Sequence, residues 1–106
     1  MKAKKPKITR SVLKVLRIFL DFPSQEMAGS DIRAKTGLAT GTLYPILLRL
    51  EDYGWLESRW ENIDPSKIGR PRKRLYRITN TGASNAQAEF DALTSLINGD
   101  LKEDYA

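Results

Sequence analysis

Between Thr9 and Asp21, apolar residues fall at Val12, Val15, Leu16 and Phe19, a spacing that places them on one face of a helix. Leu13 and Leu20 add a second apolar edge, so the helix is expected to touch two partners, its own core and a second subunit. Phe22-Pro23-Ser24 ends it, because proline disfavours helical backbone in the preceding residue. Ser30-Asp31 then predicts an N-terminal cap for a short helix through Thr36, with Gly37 as its stop. Thr40-Gly41-Thr42 opens another helix that runs to about Tyr53 and is closed by Gly54. Its inward stripe is Leu43, Ile46, Leu47 and Leu50, and Pro45 is tolerable only if it falls in the first turn. Two short helices joined by Gly37-Leu38-Ala39 have the spacing of a helix-turn-helix.

The period changes after Gly54. Trp55 to Glu61 and Arg72 to Ile78 alternate and are rich in aromatic and β-branched residues, as strands are. Leu56 and Trp60 should share a face with Tyr76 and Ile78. Trp55 and Trp60 read as buried anchors, with a ligand-stacking surface as the alternative. Asn62 to Pro71 carries Asp64-Pro65, Gly69 and Pro71 and is expected to be a loop. A helix-turn-helix followed directly by such a hairpin is a winged helix. Thr79-Asn80-Thr81 predicts the cap of a last helix that reaches about Asn98, with Gly99 as its stop. Ala83, Ala86, Phe90, Leu93 and Ile97 repeat at alternating spacings of three and four along it, an a/d seam that no later element covers. The expected fold class is therefore α+β, mainly α: a winged helix-turn-helix over residues 8–78 with a two-stranded wing, a C-terminal dimerisation helix over 79–98, and a tail over 99–106, in a single domain.

Composition narrows the function. The chain has neither cysteine nor histidine, which removes thiolate nucleophiles, cysteine-based zinc sites and the usual general base near neutral pH. No carboxylate cluster or glycine-rich phosphate loop replaces them, so no enzyme, metal or cofactor is expected. No segment approaches the roughly 20 apolar residues of a membrane span, and the basic N-terminus lacks the apolar stretch of a signal peptide. A cytoplasmic location without membrane contact is expected.

Eighteen Lys and Arg against 13 Asp and Glu leave a net charge of +5, which favours polyanionic partners. Its distribution says more. Lys67, Arg70, Arg72, Lys73, Arg74 and Arg77 follow one another along the second half of the hairpin with no acidic residue among them. A second cluster, Lys2, Lys4, Lys5, Lys7 and Arg10, reads equally as an arm on DNA or as disorder.

These placements make double-stranded DNA the expected partner. With its stripe turned inward, the second helix of the helix-turn-helix presents Gly41, Pro45, Leu48 and Asp52, flanked by Thr42, Tyr44 and Arg49. Ser30, Thr40 and Thr42 suit phosphates at helix N-termini, and Arg49 suits a guanine edge or a phosphate. Tyr44 reads as a DNA contact or as a packing residue. Lys67, Arg70, Arg72, Lys73 and Arg74 form either a phosphate or minor-groove contact or a merely solubilising wing. Gly69-Arg70-Pro71 also resembles the three-residue core of an AT-hook. Val12, Leu16 and Phe19 of the first helix and Ala83, Ala86, Phe90, Leu93 and Ile97 of the last are the candidate interface of a homodimer. The competing class is an RNA-binding or protein-docking winged helix.

The run Gly41-Thr42-Leu43-Tyr44-Pro45-Ile46-Leu47-Leu48-Arg49-Leu50-Glu51-Asp52-Tyr53-Gly54-Trp55-Leu56 resembles the signature of PadR-family regulators. Arg72-Lys73-Arg74-Leu75-Tyr76-Arg77-Ile78-Thr79-Asn80-Thr81-Gly82 resembles the family's second motif, which ends the wing and opens the last helix. The resemblance covers roughly residues 8–98 and is to the subclass with a single short C-terminal helix. It implies a dimeric, mostly repressing transcription factor whose last helix pairs with the partner's first helix. The two-fold dimer expected from the apolar seam should favour an inverted-repeat operator. A small-molecule effector, a phenolic acid or flat aromatic compound in some members, stays open. Phe90 stands where a drug-binding relative offers tryptophan.

Overall fold

The computed structural model describes the backbone of residues 5–105 and the side chains of residues 5–99. Helix α1 (Arg10–Asp21) starts where Thr9 Oγ1 accepts the Val12 N–H at 3.2 Å. It leads through strand β1 (Met27–Ala28) into helix α2 (Gly29–Thr36). The cap here falls earlier than the sequence suggests: Ala28 is the N-cap, and Asp31 Oδ2 reaches back to accept the Ala28 N–H at 3.0 Å. Ser30 therefore lies inside the first turn. Gly37, at φ 73°, ends α2 as expected.

Helix α3 (Thr40–Asp52) buries Leu43, Ile46, Leu47 and Leu50, the expected stripe. Its N-cap is Ala39, ahead of the expected Thr40–Thr42 window, which moves Pro45 into the second turn. Proline there removes one helical hydrogen bond, to the Gly41 carbonyl. Burial of the stripe on either side of Pro45 outweighs that loss.

Strands β2 (Leu56–Trp60) and β3 (Arg74–Ile78) form the antiparallel wing, with Leu56 opposite Ile78 and Trp60 opposite Arg74. The Glu61 N–H donates to the Lys73 carbonyl at 2.8 Å and extends the ladder by one pair. Two features depart from expectation. β1 pairs with the other edge of β3, Met27 against Tyr76, so the sheet has three strands in the order β1-β3-β2. The loop between β2 and β3 contains a short helix, α4 (Pro65–Ile68), capped by Asp64. Helix α5 (Asn80–Tyr105) runs straight through Gly99. A glycine within a helix costs only about 1 kcal/mol relative to alanine, too little to stop this one, so the expected tail over 99–106 is helical as far as residue 105.

The core is built around α1. Val12, Val15, Leu16 and Phe19 meet Met27, Ile32, the α3 stripe, Trp55, Leu56, Tyr76, Ile78 and Ala86. Val12, Leu16 and Phe19 are 3%, 0% and 0% exposed, and Ala86 is 0% exposed. These residues, expected to meet a second subunit, are taken up by the chain's own interior. Periodicity identified two apolar edges on α1 but not which one faces inward. The richer stripe, carrying Phe19, turns in because it removes more apolar area from water. Ala83 and Phe90 are half-buried against the same core, whereas Leu93, Leu96 and Ile97 farther along α5 remain exposed.

Candidate nucleic-acid interface

The start of α3 and the basic strand of the wing converge on one cleft. Ala28, Gly29, Ser30 and Tyr44 line one wall, and Arg72, Lys73, Arg74 and Tyr76 the other, around about 230 Å³. Tyr44 is 42% exposed and lies over Gly29, where any Cβ would collide with the phenol ring. A glycine at that position is therefore what lets the tyrosine lie against the entry to α2. The ring thus packs on α2, as the packing reading has it, and also lines the cleft. Thr40, Thr42, Pro45 and Arg49 are exposed along the same helix, with Leu48 62% exposed between them.

The five basic wing residues differ in what they can do. Lys67 is exposed on α4. Arg70 was expected to be free for phosphate, but both its Nη atoms donate to Glu61, at 2.6 and 3.0 Å. Such a fork-to-fork pair is strongly directional, and it closes the base of the wing loop. The guanidinium of Arg70 holds the Glu61 carboxyl down to about 2, helped by the Lys73 N–H and opposed by desolvation. Arg72 Nε donates to the Ile63 carbonyl at 3.0 Å while the residue lines the cleft. Lys73 is exposed at the cleft mouth. Arg74 lies deeper: its Nε donates to Ser58 Oγ at 2.9 Å, and its guanidinium stacks on the Trp60 ring, 5.0 Å from the centroid. Ser58 Oγ donates in turn to the Glu51 carboxylate of α3, which ties the wing to that helix. Burial, reinforced by the Glu51 carboxylate, raises the Tyr76 phenol above its ordinary range.

Trp55 is buried at 3% exposure, as expected, but Trp60 is 60% exposed. Trp60 pairs with Arg74 at the far end of the ladder, where the Arg74 guanidinium stacks on the ring and leaves most of the indole in solvent. In the N-terminal cluster, Lys2 and Lys4 lie outside the described residues. Lys5 pairs with Glu89 of α5 at 2.6 Å, which straps this segment to the chain itself. The Glu51–Ser58–Arg74 link and the Glu61 clamp went unread in the sequence. The only signal for the latter was an acidic residue and a basic one at opposite ends of the turn-rich segment.

Two closely linked helices, α2 and α3, followed by the β2–β3 wing, define a winged helix-turn-helix protein. Residues 25–88 match the transcriptional regulator PadR-like family, and the chain belongs to it. Its members are transcriptional regulators and not enzymes. No curated protein matches the chain in sequence. Among solved structures, a PadR-like transcription factor from Bacteroides fragilis is 25% identical over 89% of this chain and 91% of its own length, with a TM-score of 0.69. The smu.1704 protein of Streptococcus mutans UA159 is also 25% identical, over 92% of this chain and 94% of its own, with a TM-score of 0.65. Reduced AbfR, a structure bound to DNA, is 26% identical over 83% of this chain and 56% of its own, with a TM-score of 0.66.

Proposed function

We propose that the chain is a sequence-specific DNA-binding repressor that acts in the cytoplasm as a homodimer on an inverted-repeat operator. The observation that carries this reading is the cleft itself: Ser30 at the start of α2 and Tyr44 of α3 face Arg72 and Lys73 across it, and Thr40 and Thr42 lie exposed at the start of α3. A helix N-terminus and fixed cations together suit a strand of phosphates, with Pro45, Leu48 and Arg49 on the exposed side of α3 to meet base edges. The likeness to AbfR, solved on DNA, supports the same use of the fold. Among the described residues no helix is long and apolar enough to cross a membrane.

Dimerisation draws on a different surface from the buried stripe of α1. Leu13, Ile18 and Phe90 line an apolar groove of about 410 Å³ between α1 and α5, rimmed by Arg10, Lys14, Arg17 and Lys35. Leu93, Leu96 and Ile97 continue the apolar surface along α5. Two copies joined there would present two α3 helices, suited to half-sites about one helical turn apart. No effector is proposed.

The test is salt-dependent binding to duplex DNA, with the RNA duplex of the same sequence as competitor. Binding should weaken with salt by about 0.9 logarithmic units for each phosphate neutralised, so Arg72→Ala with Lys73→Ala should flatten the slope by about 1.8. The deep, narrow groove of A-form RNA should exclude α3, leaving RNA a poor competitor. An unchanged slope in the double variant, or equal competition by RNA, refutes the proposal.

A further inference from the structure

The wing carries an apolar hollow that the cleft does not use. Trp60, Pro65, Pro71 and Arg72 surround about 580 Å³ at the end of the sheet. Exposing 60% of a tryptophan there leaves a large apolar surface in water without a structural purpose. The segment that shapes the hollow is firmly held. Asp64 Oδ1 accepts the Ser66 N–H at 3.1 Å, Glu61 clamps Arg70, and Arg72 Nε donates to the Ile63 carbonyl. The indole is itself oriented, because Arg74 stacks on it and is held through Ser58 to Glu51 of α3. The ring's position is thus referenced to the same helix that lines the cleft.

Arg72 belongs to both surfaces, lining the hollow beside Trp60 and the cleft beside Tyr44. The two are therefore continuous. We infer that the Trp60 hollow is a second contact for the same duplex, taking a deoxyribose and its adjoining base edge while the neighbouring phosphate meets Arg72. The chemistry fits a nucleic-acid strand, in which apolar sugar and anionic phosphate alternate: tryptophan and two prolines supply the apolar seat, and a guanidinium adjoins it. Contacts to the sugar carry no sequence information, so the hollow adds affinity on the flank of the site while α3 reads its centre. The inference rests on the DNA-binding proposal.

The test titrates the full chain with mixed-sequence duplex DNA at low salt, following the anisotropy of labelled DNA and acrylamide quenching of tryptophan. Trp55 is buried, so quenching in the free protein reports Trp60. DNA should protect the wild type from acrylamide, and the change should vanish in Trp60→Phe. Trp60→Ala should bind about tenfold more weakly, through the apolar surface it no longer buries, with an unchanged salt slope, in contrast to loss of Arg72. Binding by anisotropy with undiminished quenching overturns the hollow and leaves the cleft standing. Absence of any binding overturns both. Protection that rises with protein concentration in the absence of DNA, and disappears together with self-association in Trp60→Ala, assigns the hollow to a second copy and overturns it as a DNA contact.

Discussion

Replacing Gly82 by alanine sets two physical effects against each other in one residue. Gly82 lies in the first turn of α5, where its N–H donates to Thr79 Oγ1 at 2.9 Å. Intrinsic helix propensity favours alanine by up to about 1 kcal/mol. Yet a Cβ at this position would overlap the carbonyl oxygen, carbonyl carbon and Cα of Trp55, all backbone atoms that no rotamer change can move aside. Restoring ordinary van der Waals separation requires the start of α5 and the Gly54–Trp55 segment to part by roughly 1 Å. That motion loosens the bonds holding them together: the Thr79 N–H to the Trp55 carbonyl at 3.0 Å and the Thr79 hydroxyl to the Gly54 carbonyl at 2.6 Å. At about 1 kcal/mol each, with about 1 kcal/mol of residual overpacking strain and the propensity gain subtracted, the net loss is about 2 kcal/mol. For a domain of this size that lowers Tm by roughly 8–16 °C. Gly99, farther along the same helix, has open space within 4 Å of the point where an alanine methyl would sit, so Gly99→Ala should stabilise by up to about 1 kcal/mol. Urea unfolding of both variants is the assay. Gly82→Ala as stable as the wild type would refute the close approach of α5 to Trp55, and destabilisation by Gly99→Ala would reinstate Gly99 as a helix stop.

Two further outcomes are expected. Leu93→Asp with Ile97→Asp should leave the fold intact, because both side chains are about half exposed, yet should abolish self-association in sedimentation equilibrium; unchanged association would remove α5 from the interface. Phe90 is unsuited to that test, being half-buried on the chain's own core. The Glu61 carboxyl is depressed in the folded state to about 2 from an ordinary 4.5, so its stabilisation of the wing is fully present above about pH 4.5 and is lost as pH falls toward 2. Its carboxyl carbon, followed by NMR, should titrate near 2 in the wild type and near the ordinary value in Arg70→Ala; an ordinary midpoint in the wild type would refute the clamp.

The sequence by itself determined whatever is local and periodic. The stripe Leu43, Ile46, Leu47 and Leu50, the stop at Gly37 and the pairing of two alternating strands all follow from spacings of a few residues. The order of those elements was enough to identify a winged helix. The basic wing was equally visible as a run of charges, because a cluster along the chain is also a cluster in space when a hairpin carries it.

Tertiary structure decided which of several local possibilities each residue takes. Both edges of α1 are apolar, and only assembly of the core turned Val12, Leu16 and Phe19 fully inward and left Leu13 and Ile18 half-buried along the groove. Trp55 and Trp60 look alike in sequence, but one is buried against the start of α5 and the other lies exposed at the far end of the wing. Two-residue β1 has too little pattern to detect and exists because β3 offers it an edge. Arg70, Arg72 and Arg74 are interchangeable as positive charges along the chain. Glu61, Ile63 and Ser58, brought up by the fold, make the first a clamp, the second a cleft residue and the third the support of an exposed tryptophan. Partners contributed by distant segments have no periodicity, and for that reason the division of labour within the wing was not legible before the chain folded.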